Sequence, residues 1–231
     1  VSAQGGTEGV VIAIDGPSGS GKSSTAKGVA KVRELRYLDT GAMYRALTWW
    51  MLEHGVDTGD AAAVAAAVAR PVIEMGTDPS APAVAVDGRD VAAAIRGQEV
   101  TTHVSAVSAV PEARELLVGA QRRIIADARA HSAGIVVEGR DITTVVAPDA
   151  PVKLYMTASA EARAQRRSKE VRVSDVAATR ADLARRDKLD SSRAHSPLTR
   201  TDEATELDTT GLTLDEVVAL VVKLADEARG Q

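Results

Sequence analysis

Gly16, four intervening residues, and then Gly21-Lys22-Ser23 stand inside the stretch VVIAIDGPSGSGKSSTA, residues 10–26. The spacing is G-x-x-x-x-G-K-[ST], set between an apolar run and a helical pattern, which is the context this signature requires. Glycines 16, 19 and 21 allow the backbone to turn its N–H groups inward around phosphate oxygens, at the positive end of the following helix. Lys22 brings a point charge to the β- and γ-phosphate oxygens, and the Ser23 hydroxyl is a Mg²⁺ ligand. The plain alternative is a Gly/Ser-rich connection of strand to helix. Spacing and context together favour a loop that grips a nucleoside triphosphate.

Such a grip serves either a phosphotransferase with a small acceptor or a nucleotide-driven switch or motor. No N-K-x-D element is present to read guanine, and Asp208-Thr-Thr-Gly211 lies too near the end of the chain to precede one. A motor usually shows an apolar strand ending in Asp as a second Mg²⁺ anchor. Here KLYMT ends in Thr157, while IVVEG ends in Glu138 and leaves that point open. In YLDTGAMYR (37–45), the polar residues Asp39, Thr40 and Arg45 fall at a strand end and on the next helix, where a second substrate docks on a parallel sheet. The balance favours a small kinase.

The elements that position these residues are legible from periodicity. Residues 10–14, 133–139 and 151–157 read as short buried strands, and 36–39 and 205–207 as two further short strands. Residues 22–35 carry Ala26, Val29, Ala30 and Leu35 at helical spacing. Met43, Leu47, Trp50 and Met51 stripe a second helix that Gly55 closes. Further helices are expected over 61–69, over 111–131 with Pro111 in its first turn, over 160–169 and over 175–190. A last helix opens on a Thr213/Glu216 capping box. Residues 71–96 differ: PVIEM, PAVAVDG and RDVAAAI are β-like pieces broken by turn residues, so a small antiparallel unit is expected there. Strands alternating with helices predict a parallel α/β sheet covered on both faces.

Bulk properties narrow the function classes. The 231 residues suit one sizeable core with a small appendage, and 45% hydrophobic with 26% charged residues is ordinary for a globular protein. A net charge of -4 argues against a nucleic-acid polymer as partner. Without cysteine there is no disulfide framework and no thiolate metal site. No apolar run reaches a membrane span, and VSAQGGTEG lacks the features of a secretory signal, so a cytoplasmic protein is expected. Small size and the lack of an apolar surface stripe make a monomer the expected state. His54, His103, His131 and His195 show no metal-ligand spacing. The paired Trp49 and Trp50 read as packing residues. A first Gly-Arg-Asp, in VDGRDV (86–91), reads as a hairpin turn, whereas the second, in VEGRDI (137–142), ends a buried strand at a ligand-binding edge. Arg45 also admits a solvated-face reading, and Asp190 and Arg193, spaced i, i+3, admit a simple helix-surface pair.

Five segments stand in order: the phosphate loop, YLDTGAMYR (37–45), VSAVSAVPEAR (104–114), EGRDITTVVAPDA (138–150) and RRDKLDSSRAHSPL (185–198). With them the chain closely resembles bacterial-type cytidylate kinases, of the nucleoside monophosphate kinase fold, from about residue 9 to its end. The resemblance implies a three-layer α/β/α core with a central five-stranded parallel sheet, over 9–70, 99–161 and 198–229. It implies a β-rich monophosphate-binding insert at 71–98, and a helical lid with acceptor-binding helices at 162–197. It implies transfer of the γ-phosphoryl group of ATP to CMP or dCMP, with Mg²⁺; kinases for UMP or dTMP, or a P-loop switch protein, are the alternatives. ATP would lie on Gly16, Pro17, Ser18, Gly19, Ser20, Gly21, Lys22, Ser23, Ser24 and Arg163, with Ser23 on Mg²⁺, partly through water. CMP would lie on Asp39, Thr40, Arg45, Ser105, Arg114, Arg140, Asp141, Arg186, Asp190 and Arg193. Arg45 and Arg140 would clamp its phosphate, Ser105, Arg114 and Asp141 would read cytosine, and Asp190 would hold the ribose. Lys22, Arg140 and Arg167 would be catalytic, Arg163, Arg166 and Arg167 belonging to the start of the lid.

Overall fold

The computed structural model describes residues 9–171 and 175–229. Residues 172–174 of the expected lid, and the N-terminal residues read for a secretory signal, lie outside the described residues apart from Gly9. Five strands, β1 (Val10–Asp15), β2 (Arg36–Asp39), β6 (Gly134–Glu138), β7 (Val152–Thr157) and β8 (Thr205–Asp208), form one parallel sheet. Their order is β2-β6-β1-β7-β8. Register pairs Ile14 with Glu138 and Asp39 with Glu138, so β1, β6 and β2 end side by side.

Alternation along β1 builds two cores. Val11 and Ala13 face α2 (Thr40–Glu53), α4 (Gln98–Val107) and α5 (Pro111–His131) on one side. Val10, Ile12 and Ile14 face α1 (Lys22–Val32) and α8 (Leu214–Arg229) on the other. With no Phe in the chain, Val, Ile, Leu, Ala and Met fill both layers, and the burial of β1 on both faces explains its unbroken apolar run. The helix α1 ends before Leu35, because Glu34 takes φ +54° to turn the chain into β2. The helix expected at 61–69 is α3 (Ala61–Ala67), capped by the Asp60 side chain. Thr213 and Glu216 form the expected box: Glu216 N–H donates to Thr213 Oγ1 at 3.3 Å, and Thr213 N–H to Glu216 Oε2 at 2.8 Å.

The segment of different character is a separate antiparallel sheet of β3 (Ile73–Met75), β4 (Val84–Val86) and β5 (Arg89–Asp90). Asp87 and Gly88, at φ +51° and +76°, make the two-residue turn expected of VDGRDV. The β-like reading of RDVAAAI is corrected: only Arg89 and Asp90 pair, and Ala94–Arg96 forms one 3-10 turn, since the alanines lack the β-branching that favours a strand. Periodicity did not flag α4, whose Thr, His, Ser and Val content lowers intrinsic helix propensity; burial of Val100, Val104 and Val107 on one face carries it. Finally, α6 (Ala160–Val171) and α7 (Val176–Ser191) lie across the C-terminal end of the sheet.

Candidate active site

The loop after β1 owes its shape to its glycines. Gly16, Gly19 and Gly21 have φ of +144°, +80° and +92°. A Cβ on Gly16 would come within 2.1 Å of the Met156 carbonyl oxygen, so no other residue fits there. Asp15, at the end of β1, is fully buried. Its carboxylate accepts from the N–H groups of Ile142 and Thr143 at 2.9 and 2.8 Å and from the Thr143 hydroxyl at 2.7 Å. This clamp holds the single helical turn Ile142–Val146 and so fixes Arg140 and Asp141, which precede it, beside the loop. Burial raises the Asp15 carboxyl above its ordinary range.

Lys22, 5% exposed, donates to the Pro17 carbonyl at 2.7 Å. Burial, with the neighbouring charge of Arg140, lowers its ammonium to about 7, while Glu138, Asp15 and Asp187 oppose the shift. Glu138 is buried at the end of β6. It accepts from the Tyr37 hydroxyl at 2.7 Å and shares a hydrogen bond with Ser23. Burial, then the charge of Asp39, raises its carboxyl; Lys22 works the other way.

A single cleft of about 400 Å³ joins this loop to the second polar group of residues. Ser18 to Ser24 line it, as do Asp39, Thr40, Arg45, Ser105, Arg114, Arg140, Asp141, Arg167, Arg186, Asp190 and Arg193. Gly16, Pro17 and Arg163 are not among the lining residues, and Arg163 donates to the Ser18 carbonyl at 3.1 Å. The solvated-face reading of Arg45 does not hold. It is 6% exposed and donates to the Ile95 carbonyl and to Thr101 Oγ1, both at 3.0 Å. Burial and the charges of Arg186, Arg96 and Arg167 push its guanidinium down to about 9. Asp190 and Arg193 do pair, but buried and as part of a network, since Asp190 also accepts from Arg140 Nε at 2.9 Å. Burial alone would raise the Asp190 carboxyl; Arg140 and Arg193 outweigh it and hold it below the ordinary carboxylate range.

Toward the far end of the cleft, Arg114 pairs with Asp141 in a buried ion pair and lies 5.4 Å over the Tyr44 ring. Arg193 donates to the Ser108 hydroxyl at 2.8 Å. The Nε groups of Arg114, Arg186 and Arg193 are buried and have no partner within the protein. Arg96, Glu138, Ser108 and Tyr44 are cleft residues that the sequence did not single out as site residues. Glu138, Ser108 and Tyr44 stand inside quoted motifs, and Glu138 is the strand-end acid whose metal role the sequence leaves open, but nothing in the sequence brings Arg96 here. The 3-10 turn does, pairing it with Asp39 at 2.7 Å. Leu212, Leu214 and Val217 form an apolar wall on the loop side, and Arg166 closes over it through Thr209, donating to its hydroxyl at 2.9 Å and its carbonyl at 2.6 Å.

The cytidylate kinase family model matches residues 12–227. The cytidylate kinase of Streptomyces griseus subsp. griseus is 58% identical over 220 residues, 95% of this chain and 94% of the relative. Those of Nocardia farcinica and Rhodococcus jostii are 56% and 53% identical, covering 90% of each chain in the first case and 97% and 98% in the second. Among solved structures, a gluconokinase from Sinorhizobium meliloti 1021 aligns over 97% of this chain and 95% of its own, with 14% identity and a TM-score of 0.49.

Proposed function

The chain belongs to the cytidylate kinase family, and we propose that the γ-phosphoryl group of ATP passes to CMP or dCMP within the cleft, giving ADP and CDP or dCDP. One observation supports this placement above the rest. Opposite the phosphate loop, in the same cleft, Arg45 is surrounded by the like charges of Arg186, Arg96 and Arg167. Gathering guanidinium groups in one cleft creates a positive field suited to an anion of high charge, and planar forks are the side chains that meet phosphate oxygens two at a time.

On this reading the phosphate loop from Gly16 to Ser24, with Arg163, holds ATP, and the adenine lies against Leu212, Leu214 and Val217. Arg45, Arg96 and Arg140 grip the acceptor phosphate. Ser105, Arg114 and Asp141 read cytosine, whose ring can stack toward Tyr44. Asp190 takes the ribose hydroxyls, with Arg186 and Arg193 beside it, and Asp39 and Thr40 shape the acceptor entrance. Ser23 would hold Mg²⁺, with Glu138 orienting its hydroxyl; both offer hard oxygen ligands, the type this ion takes. Bound there, Mg²⁺ supplies positive charge to the β- and γ-phosphate oxygens.

The protein's part in the chemistry is placement and charge. The acceptor is an anionic phosphate oxygen, so it needs no strong base. Lys22, Arg140 and Arg167 supply the positive charge that the transferring group needs most when it is between the two nucleotides. Alignment of donor and acceptor across one cleft converts a two-molecule encounter into a local step. Closure over both nucleotides excludes water, which would otherwise take the phosphoryl group. Small nucleotides as partners, and the negative net charge, support a cytoplasmic enzyme, active as a monomer. Among the described residues no helix is long and apolar enough to cross a membrane.

The test is ADP release from ATP and Mg²⁺ with CMP, dCMP, UMP and dTMP in turn. Turnover should require an acceptor and be fastest with the cytidylates. Release of ADP without any acceptor at the same rate would favour a switch protein, and preference for UMP or dTMP would overturn the base assignment.

A further inference from the structure

Ser18, at the crest of the phosphate loop, has every polar atom engaged by α6 and α7. Its N–H donates to Asp187 Oδ1 at 3.2 Å, its carbonyl accepts from Arg163 Nη1 at 3.1 Å, and its hydroxyl accepts from Arg186 Nη1 at 3.2 Å. Arg163 also donates to the other carboxylate oxygen of Asp187. One carboxylate thus accepts from a loop N–H and from a lid guanidinium together. Those are the two donor types that a phosphoryl oxygen takes at such a loop. Asp187 carries no role in the cytosine, ribose or acceptor-phosphate contacts, yet it stands on α7 between Arg186 and Asp190, which do.

We propose that Asp187 sets an affinity threshold at the donor site, as an internal stand-in for a phosphoryl oxygen that ATP displaces from Ser18 and Arg163. The inference rests on the reading that the phosphate loop holds ATP. Its physical basis is the cost of leaving such donors bare. A part-buried guanidinium left with only the Ser18 carbonyl, beside an unpaired loop N–H, is unfavourable and would attract small anions. With the carboxylate in place the Ser18 N–H and the Arg163 Nη1 group are both engaged. A ligand gains the site only if its remaining phosphate contacts exceed what it must break, which a triphosphate achieves and inorganic phosphate does not. Asp187 therefore lowers the affinity for every anion, so that only a ligand with many phosphate contacts binds over it.

The experiment measures binding of a non-hydrolysable ATP analogue with Mg²⁺, of inorganic phosphate, and of CMP alone, by calorimetry. The proteins are wild type, Asp187→Asn and Asp187→Ser. Removing the competing charge should tighten the analogue by about tenfold, within the range for one charge-assisted hydrogen bond. It should make inorganic phosphate binding measurable and leave CMP binding unmoved. CMP binding also reports that each variant is folded. Unchanged or weaker analogue binding in a variant that binds CMP normally would overturn the proposal and make Asp187 a brace for the loop. The wild type gives an independent reading that needs no variant: the Asp187 carboxyl carbon should shift in ¹³C NMR on adding the analogue, and a carbon that does not respond would also overturn the proposal. Failure of the wild type to bind the analogue at all would instead remove the ATP reading itself.

Discussion

Lys22 shows how much of the donor chemistry is set by surroundings. Burial and Arg140 hold its ammonium at about 7 in the free protein. Phosphate oxygens favour the charged form, so the pKa rises in the complex. Between the two values the complex binds more protons than the free protein. ATP binding should therefore take up a proton above pH 7, and affinity should fall as pH rises from there. Calorimetry in buffers of different ionisation enthalpy reads the proton directly, and zero uptake at pH 8 would contradict it. The proposed reading of the base rests on Asp141. An ionised carboxylate only accepts, so the amino group at position 4 of cytosine suits it and the carbonyl of uracil does not. Asp141→Asn should shrink the CMP/UMP ratio of kcat/KM by about 10- to 100-fold, CMP losing more. Because Asp141 also holds Arg114, an equal loss with both substrates would mean that it acts only through that partner.

At the scale of elements, the small sheet is tied to α2. Trp50 Nε1–H donates to Asp87 Oδ2 at 2.9 Å, and Asp87 Oδ1 accepts from the N–H of Val72 at 2.8 Å. Arg89 lies 5.2 Å over the Trp49 ring, and Arg70 5.1 Å over Trp50. The adjacent tryptophans thus pack and also anchor the β4–β5 turn. Trp50→Phe keeps an aromatic ring but removes the indole N–H hydrogen bond, worth about 1 kcal/mol, together with part of the buried ring surface. Amide exchange over Ile73–Asp90 should speed several-fold, with β1 and β6 unaffected. Unaltered exchange in the small sheet would show that the tether is not what holds it. The turn itself was legible, because Asp-Gly between alternating residues has few other uses. The tether was not, since it joins residues 37 positions apart.

The described residues form a core built on the five-stranded sheet, with two outlying units: the small sheet β3–β5 with the 3-10 turn that follows it, and the pair α6–α7. Arg45 links the first unit to the core through Ile95, and Asp190 links the second through Arg140. Nucleotides that contact both should draw them together, since product formation requires water to be shut out. Hydrogen exchange over Ile73–Asp90 and over α6 and α7 should slow when CMP and an ATP analogue are both present, more than with either alone. Equal exchange in all four states would mean the cleft does not close.

The strand-loop-helix spacing around Gly16, Lys22 and Ser23, the two-faced burial of β1, and the parallel sheet were all determined by the sequence itself. Each rests on local rules: glycine at positive φ, apolar runs for strands, and period 3.6 for helices. The strand order β2-β6-β1 was decided only by tertiary structure, and with it the meeting of Asp39, Glu138 and the phosphate loop at one edge. So were the burial of Arg45 among other arginines, the arrival of Arg96, and the hold of Asp187 on Ser18 across 169 positions of chain. Charge types can be read from a sequence, but which charges share one low-dielectric space depends on how distant segments pack, and that packing is what sets their pKa values and their use.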